Sequence, residues 1–337
     1  MNEINLKNKT VLITGGTGSF GSTFLKKLIK TNVQNIKILS RDELKQYDQR
    51  TKINDPRISY FLGDVRDRDS LKYVFNSVDY VFHAAALKQV PSCEFQPEEA
   101  FKTNLIGSKN VIEACIDCGV SKAVFLSTDK AVNPINAMGM TKALMEKLVS
   151  SYSKKANNKT KLVITRYGNV MFSRGSVIPT WINSIKKNIP ILITDPDMTR
   201  FLMSLSDCHK LVFYAFKNGK TGDIFVQKSK STDLNTLVKA LEKILGKKAK
   251  TKIIGPREGE KVHEVLISEY EMPNAKENNN FFKIPNVNNK LNHSNFFDKG
   301  DLTKKRKFLE FSSKDKIMSL EEVIKTLIQS NEIKEHI

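Results

Sequence analysis

The chain has 337 residues, of which 40% are hydrophobic, and its formal net charge is +19. A hydrophobic content of this size is ordinary for a soluble globular protein with a sizeable core, and the length allows one large α/β unit or two domains. No apolar run approaches the roughly 20 residues that span a bilayer, and MNEINLKNKTVLITGG lacks the pattern of a signal peptide, so we expect a cytoplasmic protein without a membrane partner.

The high positive charge could suggest a nucleic-acid partner, and a CxxC spacing could suggest a metal site, but the sequence pattern favours neither. The lysines are scattered rather than gathered with aromatic residues, and clusters such as KKRK at 304–307 are short, so we expect no nucleic-acid partner. We interpret the charge as a solvated surface whose field favours anionic substrates. Cys115 and Cys118 are spaced CxxC without a second pair nearby, and because a zinc site needs four ligands we predict no metal site.

From the amino terminus, short β-branched runs alternate with longer amphipathic segments. The predicted strands are TVLIT, IKILS, ISYFLGD, DYVFHAAA, KAVFLST and KLVITRYGN, and two of the predicted helices lie around 98–118 and 136–156. Strands that alternate with helices at this spacing indicate a parallel sheet covered on both faces. We therefore predict an α/β fold with a doubly wound parallel sheet over residues 1–170.

After about residue 170 the alternation changes. The later predicted elements are the strand ILIT, the helix LSDCHKLVFYAFKN, the strand GDIFVQK, and the helices TDLNTLVKALEKIL and MSLEEVIKTLI. We predict a smaller α/β substrate lobe over 171–337, from which some strands and helices return to the main sheet. The asparagine-rich stretch 272–300 has weak periodicity, and we expect it to wrap the surface as loops.

The segment TVLITGGTGSFG predicts a strand, a glycine-rich turn and the start of a helix. Gly15 and Gly16 allow the tight turn. Gly18 lets the backbone approach a pyrophosphate, and Gly21 lets helix and strand pack closely. Because exposed amides at a helix start attract anions, and a second strand follows at the expected distance, this pattern predicts a dinucleotide site.

The second strand ends in Ser40 and Arg41, and Asp42 follows. A hydroxyl and a guanidinium suit the 2′-phosphate of NADP, whereas an NAD site usually offers an acidic residue to the ribose. We therefore predict NADP as the cofactor. The alternative is that Arg41 is simply exposed and that Asp42 reaches the ribose.

The third and fourth strands end in further candidates for the cofactor site. GDVRD places Asp64 and Val65 where an adenine ring would lie. HAAALKQV ends the fourth strand with small residues that can border a cofactor, namely Ala84, Ala85 and Ala86. Small residues at this position also serve simple packing.

The fifth strand ends in LSTDKAVNP, which sets Asp129 beside Lys130 at the carboxyl edge of the predicted sheet. An acid and an amine in adjacent positions suit proton transfers on neighbouring atoms of a substrate. The alternative is an ordinary ion pair at a strand end. A second lysine, Lys142, follows in MGMTK, four residues after Met138.

These motifs occur in the order TGGTGSFG, SRDE, GDVRD, HAAALKQVP, LSTDKAVNP and TRYGNV. In this order they resemble the extended short-chain dehydrogenase/reductase superfamily, which implies an NAD(P)-binding Rossmann fold. With RYGNVMFSRGSVIP, ITDPDMTRF, GDIFVQK and GPREGEKVHE, the chain resembles the soluble 5-inverting UDP-N-acetylglucosamine 4,6-dehydratases of bacterial capsule, O-antigen and flagellin sugar pathways. The resemblance runs from about residue 8 to about residue 268, and the remaining tail matches poorly.

The resemblance gives a meaning to Met138. Most of the superfamily has a YxxxK pattern whose tyrosine is the acid and base, and here that pattern reads MGMTK. The chain resembles the branch for N-acetyl-L-fucosamine precursors in having this methionine. Because Met138 cannot exchange a proton, the proton chemistry must lie elsewhere. Lys142 is implied to hold the nicotinamide ribose and to act electrostatically.

The implied reaction is a redox-neutral dehydration with oxidation at C4, loss of water across C5 and C6, and reduction at C6. It assigns Lys130 as the base at C5, with an amine pKa lowered by burial, by the nicotinamide cation and by another lysine. Asp129 is then the protonated acid for the departing 6-hydroxyl. The group that removes the 4-hydroxyl proton stays open among Asp129, Lys130 and Thr128 acting through water.

The resemblance also implies binding residues. For the cofactor it adds Ser19, Phe20, Lys88, Asn104, Lys142, Tyr167, Asn169 and Val170. For the substrate it gives Lys88, Arg174, Val177, Thr194, Arg200, Arg257 and Glu260. Arginine forks suit a diphosphate, and the carboxylate of Glu260 suits ribose hydroxyls.

The sequence therefore predicts an NADP-dependent dehydratase that inverts C5 of UDP-N-acetylglucosamine and yields UDP-2-acetamido-2,6-dideoxy-β-L-arabino-hexos-4-ulose. We expect a homo-oligomer, with a hexamer as one candidate. A UDP-sugar 4-epimerase shares the fold and the first hydride step but does not need the pair of Asp129 and Lys130. A non-catalytic NADP sensor would have no physical reason to keep both of these residues together with Lys142.

Overall fold

The computed structural model describes residues 4–155, 159–173, 175–278, 280–286 and 309–337. None of the helices in these ranges is both long enough and apolar enough to cross a bilayer. Arg174, which the sequence predicts to bind the substrate, lies outside the described residues.

The first six strands form a parallel sheet in the order β3-β2-β1-β4-β5-β6. Their bounds are β1 Thr10–Thr14, β2 Asn35–Ser40, β3 Ile58–Leu62, β4 Tyr80–His83, β5 Lys122–Thr128 and β6 Lys161–Tyr167. The strand order reverses beside β1, and in such sheets ligands bind outside the carboxyl ends of the strands near this point. The predicted doubly wound parallel sheet is confirmed.

The sheet is covered on both faces because neighbouring strand residues point to opposite sides. In β5, Val124 packs into one apolar layer with Phe24, whereas Phe125 packs into the other with Phe75. The helices of this half are α1 Ser19–Leu28, α2 Glu43–Lys52, α3 Arg68–Phe75, α4 Val90–Phe95, α5 Pro97–Ala100, α6 Gly107–Asp117 and α7 Ala137–Lys155.

The predicted helix around 98–118 is interrupted. A π-helical segment, Phe101–Ile106, separates α5 from α6. Such segments are rare and often occur at functional sites. Here the segment includes Asn104, whose side chain is fully buried.

The second half of the chain starts after β6. Its elements are β7 Asn169–Val170, α8 Val177–Lys186, β8 Ile191–Ile193, β9 Thr199–Met203, α9 Leu205–Asn218, β10 Ile224–Gln227, β11 Lys230–Asp233, α10 Leu234–Leu245, β12 Thr251–Ile253, β13 Val265–Ile267, β14 Lys276–Glu277, β15 Phe281–Ile284, β16 Phe311–Ser312 and α11 Leu320–Gln329. A third apolar cluster, with Trp181, Leu241 and Val323, joins α8, α10 and α11.

Several later elements return to the main sheet. Strand β10 pairs in parallel with β6, and β15 and β14 continue the sheet in antiparallel fashion. The expectation that 272–300 forms only loops is therefore wrong for 276–277 and 281–284, which are strands, and Phe281 and Phe282 are both buried against the sheet. Residues 287–300 of that stretch lie outside the described residues.

Candidate functional site

The glycine-rich turn between β1 and α1 leaves no room for side chains. Gly15 has a φ of +68°, and a Cβ at this residue would lie 2.8 Å from the backbone of Ala85. A Cβ at Gly21 would lie 2.5 Å from the carbonyl oxygen of Gly15. Helix α1 starts at Ser19 after Gly18, and the first amides of a helix lack intrahelical partners and favour an anion. The turn therefore has the shape and polarity of a pyrophosphate cradle.

Two predicted cofactor residues are aromatic, and of these Phe20 is partly buried and Tyr167 is buried. The ring of Phe20 lies 5.5 Å from that of Phe82 and 5.4 Å from that of Tyr167. The hydroxyl of Tyr167 donates to the carbonyl oxygen of Cys208 at 3.1 Å. The two rings pack against each other beside the glycine-rich turn, and the cofactor contacts of Phe20 and Tyr167 stay predictions.

At the end of β2 the three candidate residues have different surroundings. The Ser40 hydroxyl lies 2.6 Å from the hydroxyl of Thr17. The Asp42 carboxylate is the N-cap of α2, accepts from the amide of Lys45 at 2.9 Å and also pairs with the Lys45 ammonium. The side chain of Arg41 is 48% exposed, so this guanidinium can turn toward a ligand.

At the end of β3, Asp64 is held by arginines. Its carboxylate accepts from the amide and Nε of Arg66, at 2.9 and 2.8 Å, and from Arg41 at 3.4 Å. Burial opposes ionisation, but the hydrogen bonds from Arg66 keep the pKa of Asp64 below its ordinary value. Val65 is buried and packs against Gly107. Both predicted residues thus shape this edge of the site through packing and ion pairs.

The segment after β4 is fixed by the buried Asn104. Its side chain accepts from the amide of Leu87 at 2.8 Å and donates to the carbonyl oxygen of Leu87 at 3.0 Å and to the hydroxyl of Thr141 at 3.1 Å. Asn104 therefore holds the loop that carries Ala84, Ala85, Ala86 and Lys88. Lys88 itself lies at the surface, where partial desolvation lowers the pKa of its amine.

Asp129 and Lys130 lie in a short 3-10 turn at the carboxyl end of β5. The Lys130 ammonium is 3.1 Å from Oδ1 of Asp129 and 3.0 Å from Oε1 of Glu264. Asp129 also accepts from the hydroxyl of Thr128 at 2.8 Å. The structure therefore brings together Asp129, Lys130 and Thr128 as predicted and adds Glu264, the residue before β13.

Both carboxylates of this cluster are almost completely buried, with side-chain exposures of 1% for Asp129 and 3% for Glu264. In the part of the chain that the structure describes, Oδ2 of Asp129 and Oε2 of Glu264 have no hydrogen-bond partner. Buried polar atoms are normally paired, and exceptions are frequent at functional sites. Two acceptors are thus available at the end of β5.

The protonation of the cluster follows from its charges. Burial raises the pKa of Asp129, and the negative charge of Glu264 adds to this effect against the opposing ammonium. Burial also opposes ionisation of Glu264, but Lys130 and Arg200 hold the pKa of Glu264 below its ordinary value.

The predicted lowering of the pKa of Lys130 is wrong. Burial does act in that direction, yet Asp129 and Glu264 together raise the pKa of Lys130 above its ordinary value. Lys130 is therefore an ammonium in this structure.

Lys142 lies one helical turn from Met138 on α7 and is buried. Its ammonium donates to the carbonyl oxygen of Leu126 at 2.8 Å. Burial lowers the pKa of Lys142 to about 8, although Glu146 opposes the shift. Met138 is only 4% exposed and packs with Cys93 and Ala100, so the position of the expected tyrosine is filled by an apolar side chain.

The predicted substrate residues fall into two groups. Arg200 on β9 lies beside the cluster, with Nε 4.0 Å from Oε1 of Glu264. Thr194 is buried, and its hydroxyl contacts the sulfur of Met198 at 3.2 Å, a sulfur that the guanidinium of Arg200 also contacts. Arg200, which the sequence predicts to bind the diphosphate, therefore lies next to the catalytic candidates.

The other predicted substrate residues are more open. Arg257 is 53% exposed and pairs with Oε1 of Glu260 at 3.6 Å, while Val177 begins α8 at the surface. Oε2 of Glu260 is buried without a partner among the described residues. The structure thus shows a free acceptor on Glu260, as a ribose contact requires.

Beside β7, two more buried acceptors lack partners. Within the described ranges, these acceptors are Oδ1 of Asn169 and the hydroxyl oxygen of Ser176. Val170 pairs with Met203 in the small sheet of β7 and β9. Asn169 is a predicted cofactor residue, whereas Ser176 is an addition from the structure.

Glu264 is the residue of the cluster that the sequence did not identify. It lies in GPREGEKVHE, directly before the apolar run VLI of β13. An acidic residue beside a fully buried strand is a signal, because buried carboxylates need a charged or hydrogen-bonding partner. The identity of that partner required the tertiary structure.

A second buried ionic cluster is formed by Arg166, Glu146 and Glu271. The Arg166 guanidinium on β6 binds Glu146 through Nε at 2.8 Å and Nη2 at 2.6 Å, and Glu271 through Nη1 at 2.8 Å and Nη2 at 2.7 Å. Nη1 also donates to the carbonyl oxygen of Leu266 at 3.1 Å. This cluster connects the main sheet to the segment that carries Glu264.

The strand order and the glycine-rich turn define a Rossmann-type nucleotide-binding fold of the kind found in short-chain dehydrogenases and reductases. A family of polysaccharide biosynthesis proteins matches residues 11–286, and the chain belongs to this family.

Three known proteins show the extent of the similarity. A Rickettsia felis protein named UDP-glucose 4-epimerase is 49% identical over 98% of both chains. The X-ray structure of Pen from Bacillus thuringiensis has a TM-score of 0.87 and 35% identity and covers 97% of this chain and 99% of its own. DesIV, a dTDP-glucose 4,6-dehydratase from Streptomyces venezuelae with NAD and TYD bound, has a TM-score of 0.69 at 20% identity, covers 75% and 86%, and shows the fold alone.

Proposed function

We propose that the protein is an NADP-dependent enzyme that dehydrates UDP-N-acetylglucosamine across C5 and C6 and inverts C5. The observation that carries the proposal is the contact of the Lys130 ammonium with Asp129 at 3.1 Å, at the carboxyl end of β5. A base at C5 and an acid for the 6-hydroxyl must act on adjacent carbons, and an adjacent amine and carboxylate meet this requirement.

The protonation state of the pair fits the proposal without uptake of a proton. The Lys130 ammonium contacts the Asp129 carboxylate, and burial raises the pKa of Asp129, which favours its uptake of a proton. Transfer of one proton from Lys130 to Asp129 yields a neutral amine and a carboxylic acid. These are the base and the acid that the elimination needs, and the elimination regenerates the ammonium and the carboxylate.

The residues of the glycine-rich turn fit a dinucleotide. A side chain at Gly15 would collide with the backbone of Ala85, so this tight turn requires glycine, and the amides at the start of α1 that follow it suit an anion. When bound, the nicotinamide supplies the reversible hydride chemistry at C4 and C6. Lys142, buried and 2.8 Å from the carbonyl oxygen of Leu126, is the residue that we assign to the nicotinamide ribose.

The choice of NADP rests on the end of β2. The Asp42 carboxylate is engaged by the start of α2, which argues against its use for the ribose of NAD. Arg41 is half-exposed and suits a 2′-phosphate.

Replacing Arg41 with Ala tests this choice. We expect the Kd for NADP to rise about tenfold, as for the loss of one charged hydrogen bond, while the Kd for NAD stays unchanged. Isothermal titration calorimetry measures both constants. Arg68→Ala, at another exposed arginine, is the matched control. Tighter binding of NAD than of NADP by the unaltered protein would show that the cofactor is NAD.

A UDP-sugar 4-epimerase is the second candidate, because the Rickettsia felis relative carries that name. An epimerase of this superfamily is expected to use the tyrosine of YxxxK at the 4-hydroxyl, and here Met138 fills that position and is buried. The pair of Asp129 and Lys130, with two unpartnered carboxylate oxygens nearby in the described structure, favours dehydration.

Proton NMR of the purified protein with UDP-N-acetylglucosamine in D2O, with and without added NADP+, tests the proposal. A new C6 methyl signal, deuterium at C5 and an L-arabino coupling pattern are expected. Growth of UDP-N-acetylgalactosamine signals instead would establish the epimerase. A spectrum that stays unchanged in both conditions would overturn both candidates for this substrate.

A further inference from the structure

Glu264 brings a negative charge from the second half of the chain to the end of β5. Its Oε1 atom lies 3.0 Å from the Lys130 ammonium and 4.0 Å from Nε of Arg200. The side chain is 3% exposed. One buried carboxylate oxygen therefore contacts the predicted base and neighbours the arginine that we predict to bind the diphosphate.

The backbone of Glu264 is held by two hydrogen bonds with Ser313. Its amide donates to the hydroxyl of Ser313 at 2.8 Å, and the amide of Ser313 donates to the carbonyl oxygen of Glu264 at 2.8 Å. The Ser313 hydroxyl also lies 2.6 Å from the hydroxyl of Thr199, the neighbour of Arg200. Because these contacts are buried, the carboxylate has a defined position rather than that of a mobile surface group.

Four charged groups surround the Lys130 ammonium. Asp129 and Glu264 attract it, while Arg200 and Lys261 repel it. Lys261 is itself held by the carbonyl oxygen of Val132, at 2.5 Å. Glu264 is the group on the second half of the chain that directly contacts Lys130, so its charge opposes the release of a proton from the amine.

We propose that Glu264 is a positioning residue, which holds the Lys130 amine against Asp129 and sets how readily this amine gives up its proton. This inference rests on the proposed function, in which Lys130 is the base. An anion bound by Arg200 would offset a positive charge beside Glu264. Because the Glu264 carboxylate neighbours both Arg200 and Lys130, binding of the diphosphate to Arg200 is expected to change the protonation of Lys130.

The first test measures the protonation of Lys130 without any sugar substrate. The NADP-loaded protein is labelled with a trace of isotopic acetic anhydride across a pH series, and labelling of the peptide that contains Lys130 is quantified by mass spectrometry. In Glu264→Gln, we expect the labelling midpoint to fall by at least about one pH unit, because a contacting negative charge is lost. Glu264→Asp keeps the charge at a shorter reach, and its midpoint is expected between the other two.

Glu271→Gln is the matched control. Glu271 lies in the same segment as Glu264, and its carboxylate binds Arg166. In the described part of the chain, it makes no ion pair with Lys130. Its substitution is expected to leave the Lys130 midpoint unchanged. A midpoint in Glu264→Gln equal to that of the unaltered protein would overturn the proposal. If Glu264→Gln does not fold by circular dichroism, Glu264→Asp decides in the same way.

The second test uses turnover of UDP-N-acetylglucosamine. A positioning role predicts that kcat of Glu264→Gln falls by about tenfold or more with little change in KM, and that the pH dependence of kcat shifts to lower pH. A merely structural role predicts a loss of folded protein with an unchanged pH profile, and would contradict the proposal. If the unaltered protein shows no turnover, the proposed function fails, while the labelling still decides the role of Glu264.

Discussion

The two buried ionic clusters of this protein contain the same kinds of charged group, but they differ in how many of their carboxylate oxygens have a hydrogen-bond partner. One combines Lys130 with Asp129 and Glu264, and the other combines Arg166 with Glu146 and Glu271. Each has one cation and two carboxylates, and each joins the main sheet to the segment after residue 260. The arginine cluster uses its forked geometry to satisfy its partners, whereas the lysine cluster leaves two buried carboxylate oxygens without partners in the described structure.

The difference shows which cluster serves stability and which is prepared for a ligand. Arginine cannot lose its proton in a protein and binds two carboxylates through a fixed fork, so it suits a permanent connection. Lysine is a single charge that changes its protonation readily when buried. An incomplete cluster around a lysine therefore has the capacity for proton transfer that the complete cluster lacks.

The largest effect is expected from Lys130→Met. If Lys130 is the base, turnover should fall by about 10²–10⁴-fold, the typical contribution of a general acid or base. The C6 methyl signal in the NMR assay measures this loss. Lys130→Arg should be equally impaired, because it keeps the charge but cannot become neutral. Retention of turnover in either variant, in proportion to the folded fraction, would show that both clusters are structural.

Arg166→Met should reduce stability rather than chemistry. Removing one partner of a buried ion pair leaves unpaired charges and typically costs about 3–5 kcal/mol in unfolding free energy. Urea unfolding followed by circular dichroism measures the change, with Arg166→Lys as the variant that keeps the charge and loses the fork. Loss of turnover per folded molecule without loss of stability would reverse the roles that we give to the two clusters.

Lys142, a buried lysine that belongs to neither cluster, provides a test by pH. Its pKa is lowered by burial to about 8 from an ordinary value of 10.5. A lowered lysine pKa means that the folded state disfavours the ammonium, so the fold bears the full penalty below pH 8 and loses it as the pH rises toward 10.5. Relative to Lys142→Met, the unaltered protein should therefore gain about 2 kcal/mol of stability between about pH 7.5 and pH 10.

Urea unfolding of the unaltered protein and of Lys142→Met at both pH values measures this gain. Subtracting the change in the variant from that in the unaltered protein removes the contribution of other titrating groups. Lys147→Met, at an exposed lysine on the same helix, is the control and should show no such gain. A pH-independent difference between the unaltered protein and Lys142→Met would contradict the prediction, because it would mean that the fold does not lower the pKa of Lys142.

The smallest effect is expected from Met138→Tyr. Met138 is packed against Cys93 and Ala100, and a larger side chain should cost about 1–3 kcal/mol of stability through overpacking. The product should stay the same, because the proton chemistry belongs to Asp129 and Lys130. Met138→Leu, which conserves volume, is the control for packing. Formation of UDP-N-acetylgalactosamine by Met138→Tyr would show instead that Met138 suppresses an epimerase.

Features that depend on neighbouring residues were predictable from the sequence. The glycine-rich turn, the parallel sheet and the placement of Asp129 beside Lys130 follow from local spacing, because a strand end and the residues after it stay together in any parallel sheet. The local helix break at Phe101–Ile106 was not predicted, since a π-helical segment leaves no clear mark on apolar periodicity.

Features that depend on distant segments were missed or predicted with the wrong sign. Glu264 contacts Lys130 only because β13 docks beside the end of β5, and its charge reverses the expected shift in the pKa of Lys130. Strand β15 is not evident from the sequence pattern, because Phe281 and Phe282 are adjacent and both buried, without the alternation that identifies a half-exposed strand. In both cases the decisive partner lies far away in the sequence.

The anchoring of Glu264 by Ser313 has a consequence for biosynthesis. Ribosomes build chains from the amino terminus, and the early strands of a domain form contacts while later segments are still absent. The turn with Asp129 and Lys130 is synthesised long before Glu264, and Glu264 before the serine that fixes its backbone. A nascent chain can therefore assemble the nucleotide-binding strands while Lys130 still has Asp129 as its sole contacting carboxylate, and the complete proton-sharing arrangement is a late product of translation.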